Sequence, residues 1–194
     1  VTYNVTVNAL PNAEAGTNDT ICNGTTTVLN ASGGTSYAWT TNSTLDNLTI
    51  ANPIANPSST TTYYVLVTDG NGCKNSDSVT VVVNQLPNVT ASSNAAICIG
   101  ASTTITASGA TNYSWSPATG LDNSNISNPT ANPTSTTTYV VIGTDNNGCS
   151  NSDSTTVTVN PLPTAVVSTG GIICNGGSIS LTASGGTSYS WSPS

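Results

Sequence analysis

The sequence repeats itself at a fixed interval. Cys22 and Cys98 are 76 positions apart, and the same interval separates Tyr63 from Tyr139. No insertion or deletion interrupts the pattern. The cysteines and tryptophans that follow it are Cys22, Cys98 and Cys174; Cys73 and Cys149; and Trp39, Trp115 and Trp191. A fixed interval of this length is typical of one small domain copied in tandem.

The interval divides the chain into two complete repeats and two partial ones. Residues 11–86 and 87–162 each form a full copy. Residues 1–10 correspond to the last strand of a preceding repeat, and residues 163–194 correspond to the first strands of a following repeat. We therefore expect this sequence to be a window on a longer array.

The balance of charges disfavours several classes of function. Lys74 is the only basic residue, against eight acidic ones, and the formal net charge is −7. A surface that binds nucleic acid or anionic lipid needs a cluster of cations, so neither partner is expected. The sequence has no His, and its Ser and Thr hydroxyls lack a base to activate them. It also lacks an apolar run long enough to span a membrane. These features predict a protein that is not an enzyme and has no resident cofactor.

Apolar and polar residues alternate in short runs, which is the pattern of half-buried β-strands. Val79, Val81 and Val83 lie on one face of the last strand predicted in the first full repeat. The runs 62–68 and 138–144 predict the strand that precedes it in each repeat. Asp, Asn and Gly residues connect these two strands and favour a hairpin turn.

Shorter runs complete each repeat. Residues 25–31 and 36–40 predict two strands, and the second of them buries Trp39. Asn-Pro pairs before Tyr63 restrict the remaining segment to one or two edge strands. About seven short strands per repeat predict an all-β fold of tandem β-sandwiches. Because residues 85–87 leave almost no linker and end in proline, the array is expected to be an extended rod.

The motifs within a repeat resemble a known family. Tyr37-Ala38-Trp39, Thr61-Thr62-Tyr63 and Gly72-Cys73 are similar to the Ig-like/PKD-like repeats of Bacteroidota secreted surface proteins. In that family the repeats form long arrays in adhesins, in gliding-motility-associated proteins and in carriers of type IX secretion signals. The resemblance implies an immunoglobulin-like sandwich at the cell surface. Its core residues would be Leu29, Trp39 and Tyr63; Ile105, Trp115 and Tyr139; and Leu181 and Trp191.

Two disulfide patterns are compatible with the cysteines, which are Cys22, Cys73, Cys98, Cys149 and Cys174. The simpler pattern joins Cys22 to Cys73 within a repeat. The immunoglobulin-like topology implied by the resemblance places these two residues at opposite ends of the sandwich, roughly 25 Å apart, which is too far for a disulfide. The same topology favours a bond between repeats, from Cys22 to Cys149. A zinc site is a weaker alternative because there is no His and no CxxC motif.

Two further sets of residues are candidate sites. The first consists of oxygen ligands for calcium, which could equally be turn formers: Asp69, Asn71 and Asp77, with Asp145, Asn147 and Asp153 in the next copy. The second set matches an Asp-Ser/Thr-aliphatic O-glycosylation motif of Bacteroidota exported proteins, although a three-residue motif also arises by chance. Its acceptors are Thr20, Ser78 and Ser154.

Three functions are compatible with this sequence. The first is a stiff stalk or fibre segment of a secreted adhesin or extracellular filament, whose partners are neighbouring copies and which could self-assemble into fibres. The second is a module that binds a carbohydrate or another surface ligand. The third is a set of accessory repeats in a large secreted hydrolase. The resemblance and the cysteines place all three outside the cell.

Overall fold

The structure, a computed structural model, describes residues 2–40 and 43–192. All the regular secondary structure in these residues is β-strand. None of them forms a helix long and apolar enough to cross a membrane.

The first full repeat is a sandwich of two sheets. A four-stranded sheet has the order β1-β6-β5-β3, and β2 pairs with β4 in the second sheet. The pairing of β1 with β6 is parallel, whereas β5 is antiparallel to both β3 and β6. The strands are β1 (Asp19–Cys22), β2 (Thr27–Val28), β3 (Ser36–Trp39), β4 (Ile54–Ala55), β5 (Thr61–Thr68) and β6 (Lys74–Asn84).

The second full repeat reproduces this arrangement one interval later along the chain. Its large sheet has the order β11-β13-β14-β8, with β8 parallel to β14, and its small sheets are β12-β9 and β10-β7. The strands are β7 (Thr90–Ala91), β8 (Ala95–Cys98), β9 (Thr103–Thr104), β10 (Ala107–Ser108), β11 (Asn112–Ser116), β12 (Thr130–Ala131), β13 (Thr137–Thr144) and β14 (Ser150–Asn160). The last partial repeat contains one antiparallel pair, β15 (Val166–Val167) with β16 (Ala183–Ser184). The all-β, immunoglobulin-like sandwich predicted from the sequence is therefore what the chain forms.

The core of the first repeat follows from the alternation in β5 and β6. Tyr63 and Val65 on β5 are each 1% exposed, and Val79 and Val81 on β6 face the same side. Leu29 and Trp39 pack against this cluster, as do Ala15, Ile21 and Ala55. The equivalent residues of the second repeat are also buried, namely Ile105, Trp115, Tyr139, Val141 and Val157.

The polar atoms of the buried aromatic side chains all have hydrogen-bond partners. The indole Nε1 of Trp39 donates to the carbonyl oxygen of Ile50 at 2.9 Å, and the hydroxyl of Tyr139 donates to the carbonyl oxygen of Thr119 at 3.0 Å. Burial raises the pKa of Tyr139. Among the described residues, no buried side-chain nitrogen or oxygen lacks a partner. The core therefore carries aromatic bulk without the cost of an unpaired polar group.

The two partial repeats differ from the expectation. Residues 2–10, the predicted last strand of a preceding repeat, form no strand, and the side chains of Tyr3, Val5 and Val7 are more than four-fifths exposed. Leu181 and Trp191, predicted as core residues, are 48% and 53% exposed. Residues 1–10 of the sequence correspond to the end of β6 without a copy of β5 beside it, and residues 163–194 have no copy of β5 or β6 to cover Leu181 and Trp191.

The chain divides into two compact units whose limits do not coincide with the repeats. One unit comprises Val1–Thr90 together with Ser108–Tyr113 and Ile142–Ser152. The other comprises Ala91–Ala107, Ser114–Val141 and Asp153–Ser194. The first unit therefore contains the complete first sandwich and both ends of the disulfide described below.

Gly109 is required where the chain that enters the second repeat passes close to it. Its φ is +90°, and a Cβ atom built on it would lie 1.9 Å from the carbonyl oxygen of Asn88. Gly33 has the same relation to Asn12 in the first repeat. By contrast, Gly100 has a φ of +85° with no atom within 4 Å of its Cβ position. A substitution at Gly109 would therefore meet both a steric clash and a strained backbone conformation, whereas one at Gly100 would meet only the strained backbone.

We predict that Gly109→Ala destabilises the second repeat much more than Gly100→Ala does. Gly100→Ala should cost about 1–2 kcal/mol, because only the left-handed backbone conformation is penalised. Gly109→Ala should cost more than about 3 kcal/mol, because a backbone oxygen must also move. Urea unfolding followed by tryptophan fluorescence measures both. Equal losses in the two variants would contradict the close approach of Asn88.

Carboxylate side chains accept hydrogen bonds from neighbouring strands in both repeats. Asp122 accepts the backbone N–H of Thr130 at 2.8 Å, and this hydrogen bond lowers the pKa of Asp122. The side-chain hydroxyl of Thr27 donates to Asp19, which lowers the pKa of Asp19. A folded pKa below the unfolded value contributes stability that is present above the unfolded pKa, about 3.9, and is lost as the pH falls through the folded pKa.

We therefore predict that the melting temperature falls as the pH is lowered from about 4, where the unfolded Asp side chains begin to bind protons. Asp122→Asn should reduce this fall, because the amide oxygen still accepts a hydrogen bond but does not titrate. Calorimetry of both chains at pH 7 and at several values below 4 measures the difference. An identical acid dependence in the two chains would show that Asp122 contributes nothing to it.

Candidate functional site: the disulfide-bonded junction

Within the described residues there is one disulfide, and it joins the two full repeats. Cys22 of the first repeat is bonded to Cys149 of the second, with their Cα atoms 5.6 Å apart. This is the pairing that the immunoglobulin-like topology favoured, and the alternative bond from Cys22 to Cys73 does not form. The bond encloses a sequence separation of 127 residues. A loop of that length is worth about 5 kcal/mol in the chain-entropy account of disulfide stabilisation.

The parallel pairing of β1 with β6 places Cys22 at the junction. In this register Cys22 lies beside Asn84, the last residue of β6. Cys73 instead comes directly before Lys74, the first residue of β6. The two ends of this 11-residue strand are about 33 Å apart. A bond within the repeat would have to cross that distance, whereas disulfide Cα atoms lie within about 7 Å.

Cys149 is held by the turn between β13 and β14. One carboxylate oxygen of Asp145 accepts the backbone N–H groups of Asn147 and Cys149, both at 2.9 Å. The backbone N–H of Asp145 in turn donates to the carbonyl oxygen of Cys149 at 2.9 Å. Asp69 makes the corresponding contacts to Asn71 and Cys73 in the first repeat. Asp at this position therefore positions the cysteine for bonding.

Amide side chains fasten the short segment between β6 and β7. The backbone N–H of Asn23 donates to the carbonyl oxygen of Asn84 at 2.8 Å, and its side-chain Nδ2 donates to Oε1 of Gln85 at 3.1 Å. Nδ2 of Asn151 donates to the carbonyl oxygen of Pro87 at 3.1 Å. Pro87 is buried. Because Pro87 has no N–H, its carbonyl oxygen is the backbone group that Asn151 can bind.

The next contact along the chain involves a carboxylate. Oδ2 of Asp153 accepts the backbone N–H of Ala91 at 2.7 Å, and this hydrogen bond lowers the pKa of Asp153. Oδ2 of Asp77 accepts from Ala15 in the same way in the first repeat. These two carboxylates hold the entering segment of each repeat against its last long strand.

Three cysteines predicted as disulfide partners are unpaired in the structure. Cys73 is half-buried, and Cys98 and Cys174 are exposed. The observed bond joins the first cysteine of one repeat to the second cysteine of the next, at a separation of 127. A partner for Cys73 would lie 127 positions earlier, and partners for Cys98 and Cys174 would lie 127 positions later. None of those positions is within the 194-residue sequence.

The candidate calcium ligands are used as hydrogen-bond acceptors and in turns. Asp69 and Asp145 each close a hairpin, with Asn71 and Asn147 as turn residues. Asp77 and Asp153 bind backbone N–H groups elsewhere in each repeat. No three carboxylate, thiol or imidazole groups come together as a metal-binding cluster in the described part of the chain. The contacts of Asp69 and Asp145 are those of turn formers, whereas Asp77 and Asp153 lie on the long strands β6 and β14. Calcium binding at these residues stays a prediction.

The candidate O-glycosylation residues are exposed. Thr20 lies beside Val82 in the pairing of β1 with β6, and Ser78 lies beside Tyr64 in the pairing of β5 with β6. Both are therefore on the outer face of the large sheet. Ser154 is exposed on β14. Their modification stays a prediction.

Sequence reasoning missed the amides that fasten the junction. Asn151 contacts Pro87, and Asn75 makes the same contact to the carbonyl oxygen of Pro11 at 3.0 Å. Asn18 and Asn94 are a second such pair, because each accepts a backbone N–H of the neighbouring long strand. The sequence did contain a signal for these residues. Each Asn is present in both full repeats, whereas many other exposed polar residues differ between the repeats.

Comparison with known proteins supports the domain type. Residues 9–87 match the model of a protein family described as "Ig-like domain CHU_C associated". No curated protein sequence matches the chain.

Several solved structures are similar to the chain at low identity. The IG1 and IG2 domains of DIP-gamma are 15% identical, with 78% of this chain and 98% of that chain covered and a TM-score of 0.40. An I-band fragment of titin is 14% identical, with 81% and 68% covered and a TM-score of 0.41. The N-terminal Ig1-2 module of the Drosophila receptor protein tyrosine phosphatase DLAR is 14% identical, with 78% and 100% covered and a TM-score of 0.32.

The strand order, the buried tryptophan and tyrosine of each full repeat, and the family match over the first repeat agree with one another. The two full repeats are immunoglobulin-like sandwiches, and the first of them matches the family model.

Proposed function

We propose that this chain is a structural segment of a secreted cell-surface adhesin or extracellular filament. Its repeats act as a stiff stalk with no chemistry of their own. The observation that carries the proposal is the covalent bond from Cys22 to Cys149, which ties one repeat to the next across a junction that has almost no linker. A module that only had to present a ligand site would not need neighbouring copies to be locked together.

The surface composition supports an exposed, long-lived location. Charged residues make up 5% of the chain, and Lys74 is the only residue after which a trypsin-like protease could cut. Hydroxyl pairs replace ion pairs on the strands: the side chains of Thr62 and Thr80 are hydrogen-bonded at 2.9 Å, as are those of Thr138 and Thr156. A structural disulfide is favoured in an oxidising compartment, which supports a location outside the cell.

The unpaired cysteines fit a continuing array. Cys98 is the equivalent of Cys22, and Cys73 is the equivalent of Cys149. If the same pairing applies along a longer chain, Cys98 and Cys174 bond to later copies and Cys73 bonds to an earlier one. Neighbouring copies of the repeat are then the main partners of this segment.

A binding role is the second candidate, and one surface favours it. The outer face of the β1-β6-β5-β3 sheet exposes Tyr64, Leu66 and Val82, which are 55%, 38% and 38% exposed. Tyr64 is an aromatic ring that the core does not use, and such rings provide stacking platforms for sugars. In the second repeat the same position is Val140. The first repeat alone would therefore carry the ligand.

We predict that the oxidised chain is elongated in solution. A compact globule of 194 residues has a radius of gyration of about 16 Å. Two sandwiches placed end to end, each about as long as an 11-residue strand of about 36 Å, should give a value above about 20 Å. Small-angle X-ray scattering measures it, with Cys149→Ala as a control in which the junction is no longer bonded. A radius equal to that of the compact globule would rule out the stalk.

A glycan array tests the second candidate. If the outer face binds carbohydrate, the wild-type chain should bind and Tyr64→Val should lose at least tenfold in affinity. Val is a suitable replacement because Val140 occupies the equivalent position of the second repeat. Absence of binding, or equal binding by both chains, would remove this face as a carbohydrate site.

A further inference from the structure

We infer that the Cys22–Cys149 bond creates a covalent load path that runs along β1 and β14 and leaves the rest of both repeats unstretched. This inference deepens the proposed stalk function. It concerns how tension passes through the chain, whereas the scattering test above concerns the shape of the chain at rest.

The load path follows from where the two cysteines lie. Cys22 is the last residue of β1, and Cys149 directly precedes Ser150, the first residue of β14. Tension that enters the chain ahead of β1 reaches Cys22, crosses the disulfide and continues from Cys149 along β14. It leaves the second repeat after Asn160. The disulfide closes the backbone between the two cysteines into a loop that contains β2 to β13. This loop is not part of the load path.

The strands on the load path can lengthen only slightly under tension. β1 and β14 have 4 and 11 residues, all in extended conformation. A strand rises about 3.3 Å per residue, whereas a fully stretched chain reaches at most about 3.6 Å per residue. These two strands can therefore lengthen by only about a tenth. Without the bond, the 127 residues that it encloses could add about 440 Å of chain on unfolding.

The bond is also protected from reduction while the domains are folded. Cys149 is 1% exposed and Cys22 is half-buried. Thiol–disulfide exchange requires an attacking thiolate to reach a sulfur atom, so burial of Cys149 limits attack on that side. Asp145 makes two hydrogen bonds to the backbone of Cys149, one to its N–H and one to its carbonyl oxygen. The load path therefore stays closed under conditions in which an exposed disulfide would exchange.

The same arrangement extends to a longer array. The next cysteine after Cys149 that could lead into a further bond is Cys174, which follows β14 and the junction to the last partial repeat. If Cys73, Cys98 and Cys174 are bonded at the same separation as Cys22, tension is carried by two equivalent stretches in every two repeats, from Cys149 to Cys174 and from Cys73 to Cys98. Each stretch is the last long strand of one repeat, the junction and the copy of β1 in the next repeat. Fully stretched, each measures about 90 Å, against about 530 Å for two whole repeats without bonds.

The test is single-molecule force spectroscopy of this chain, pulled from its two ends after oxidation. Because the bond encloses 127 of the 194 residues, the remaining 67 limit the fully stretched length to about 235 Å. Cys149→Ala should extend to about 680 Å, nearly threefold further. Cys73→Ala is the matched control, since it removes an unpaired cysteine and should behave as the wild type.

A second measurement tests whether the enclosed strands carry load. Val65 lies on β5 and Ile105 follows β9, so both are within the closed loop. Val65→Ala, or the milder Ile105→Val, should lower the unfolding force in the Cys149→Ala chain and leave the force–extension curve of the bonded chain unchanged.

Two results would overturn the inference. One is a peptide map of the oxidised chain that joins Cys22 to Cys73. The other is an unfolding force that falls equally with Val65→Ala or Ile105→Val in chains whose Cys22–Cys149 bond is verified by mass spectrometry. Neither result depends on whether the resting chain is elongated, so a failed stalk proposal and a failed load path can be told apart.

Discussion

The parallel pairing of β1 with β6 is the constraint on which the junction depends. It sends both strands in the same direction, so that Cys22 and Asn84 reach the same end of the sandwich. The chain leaves the repeat only a few residues after Asn84, and Asn151, near the start of β14, holds the next few residues through the carbonyl oxygen of Pro87. If β1 ran antiparallel to β6, Cys22 would lie near the opposite end. A bond between repeats would then be out of reach.

The sequence predicts the long strands better than the short ones. β5 and β6 alternate over eight and eleven residues with one face buried, so a period of two is clear in both. β1 has four residues, only one of which is buried, and no periodicity distinguishes it from a loop. Its direction of pairing depends on the other strands of the sheet. The sequence could favour the bond between repeats but left both pairings open, because the end of the sandwich that Cys22 reaches depends on the direction of β1.

Burial could not be predicted from the motif alone. Trp39 and Trp191 occupy the same place in the repeat, yet they are 4% and 53% exposed. Trp39 lies opposite Val65 in the pairing of β3 with β5, whereas no copy of β5 follows Trp191 in the sequence. A tryptophan on this strand is therefore a core residue only when the second half of its repeat is present. The need for a glycine at position 109 was hidden for a similar reason, since it arises from the approach of Asn88.

The chemistry of the junction suits a chain that has almost no charge. With one basic residue, this protein cannot fix the orientation of its repeats by salt bridges. The contacts that it uses are amide groups, such as those of Asn23 and Asn151, and one covalent bond. Amides do not titrate, and their hydrogen bonds are not screened by salt as exposed ion pairs are. Asp153 is the exception, and the hydrogen bond that it accepts from the backbone N–H of Ala91 lowers its pKa. Because its contacts are amide hydrogen bonds and one covalent bond, the junction should depend little on salt concentration.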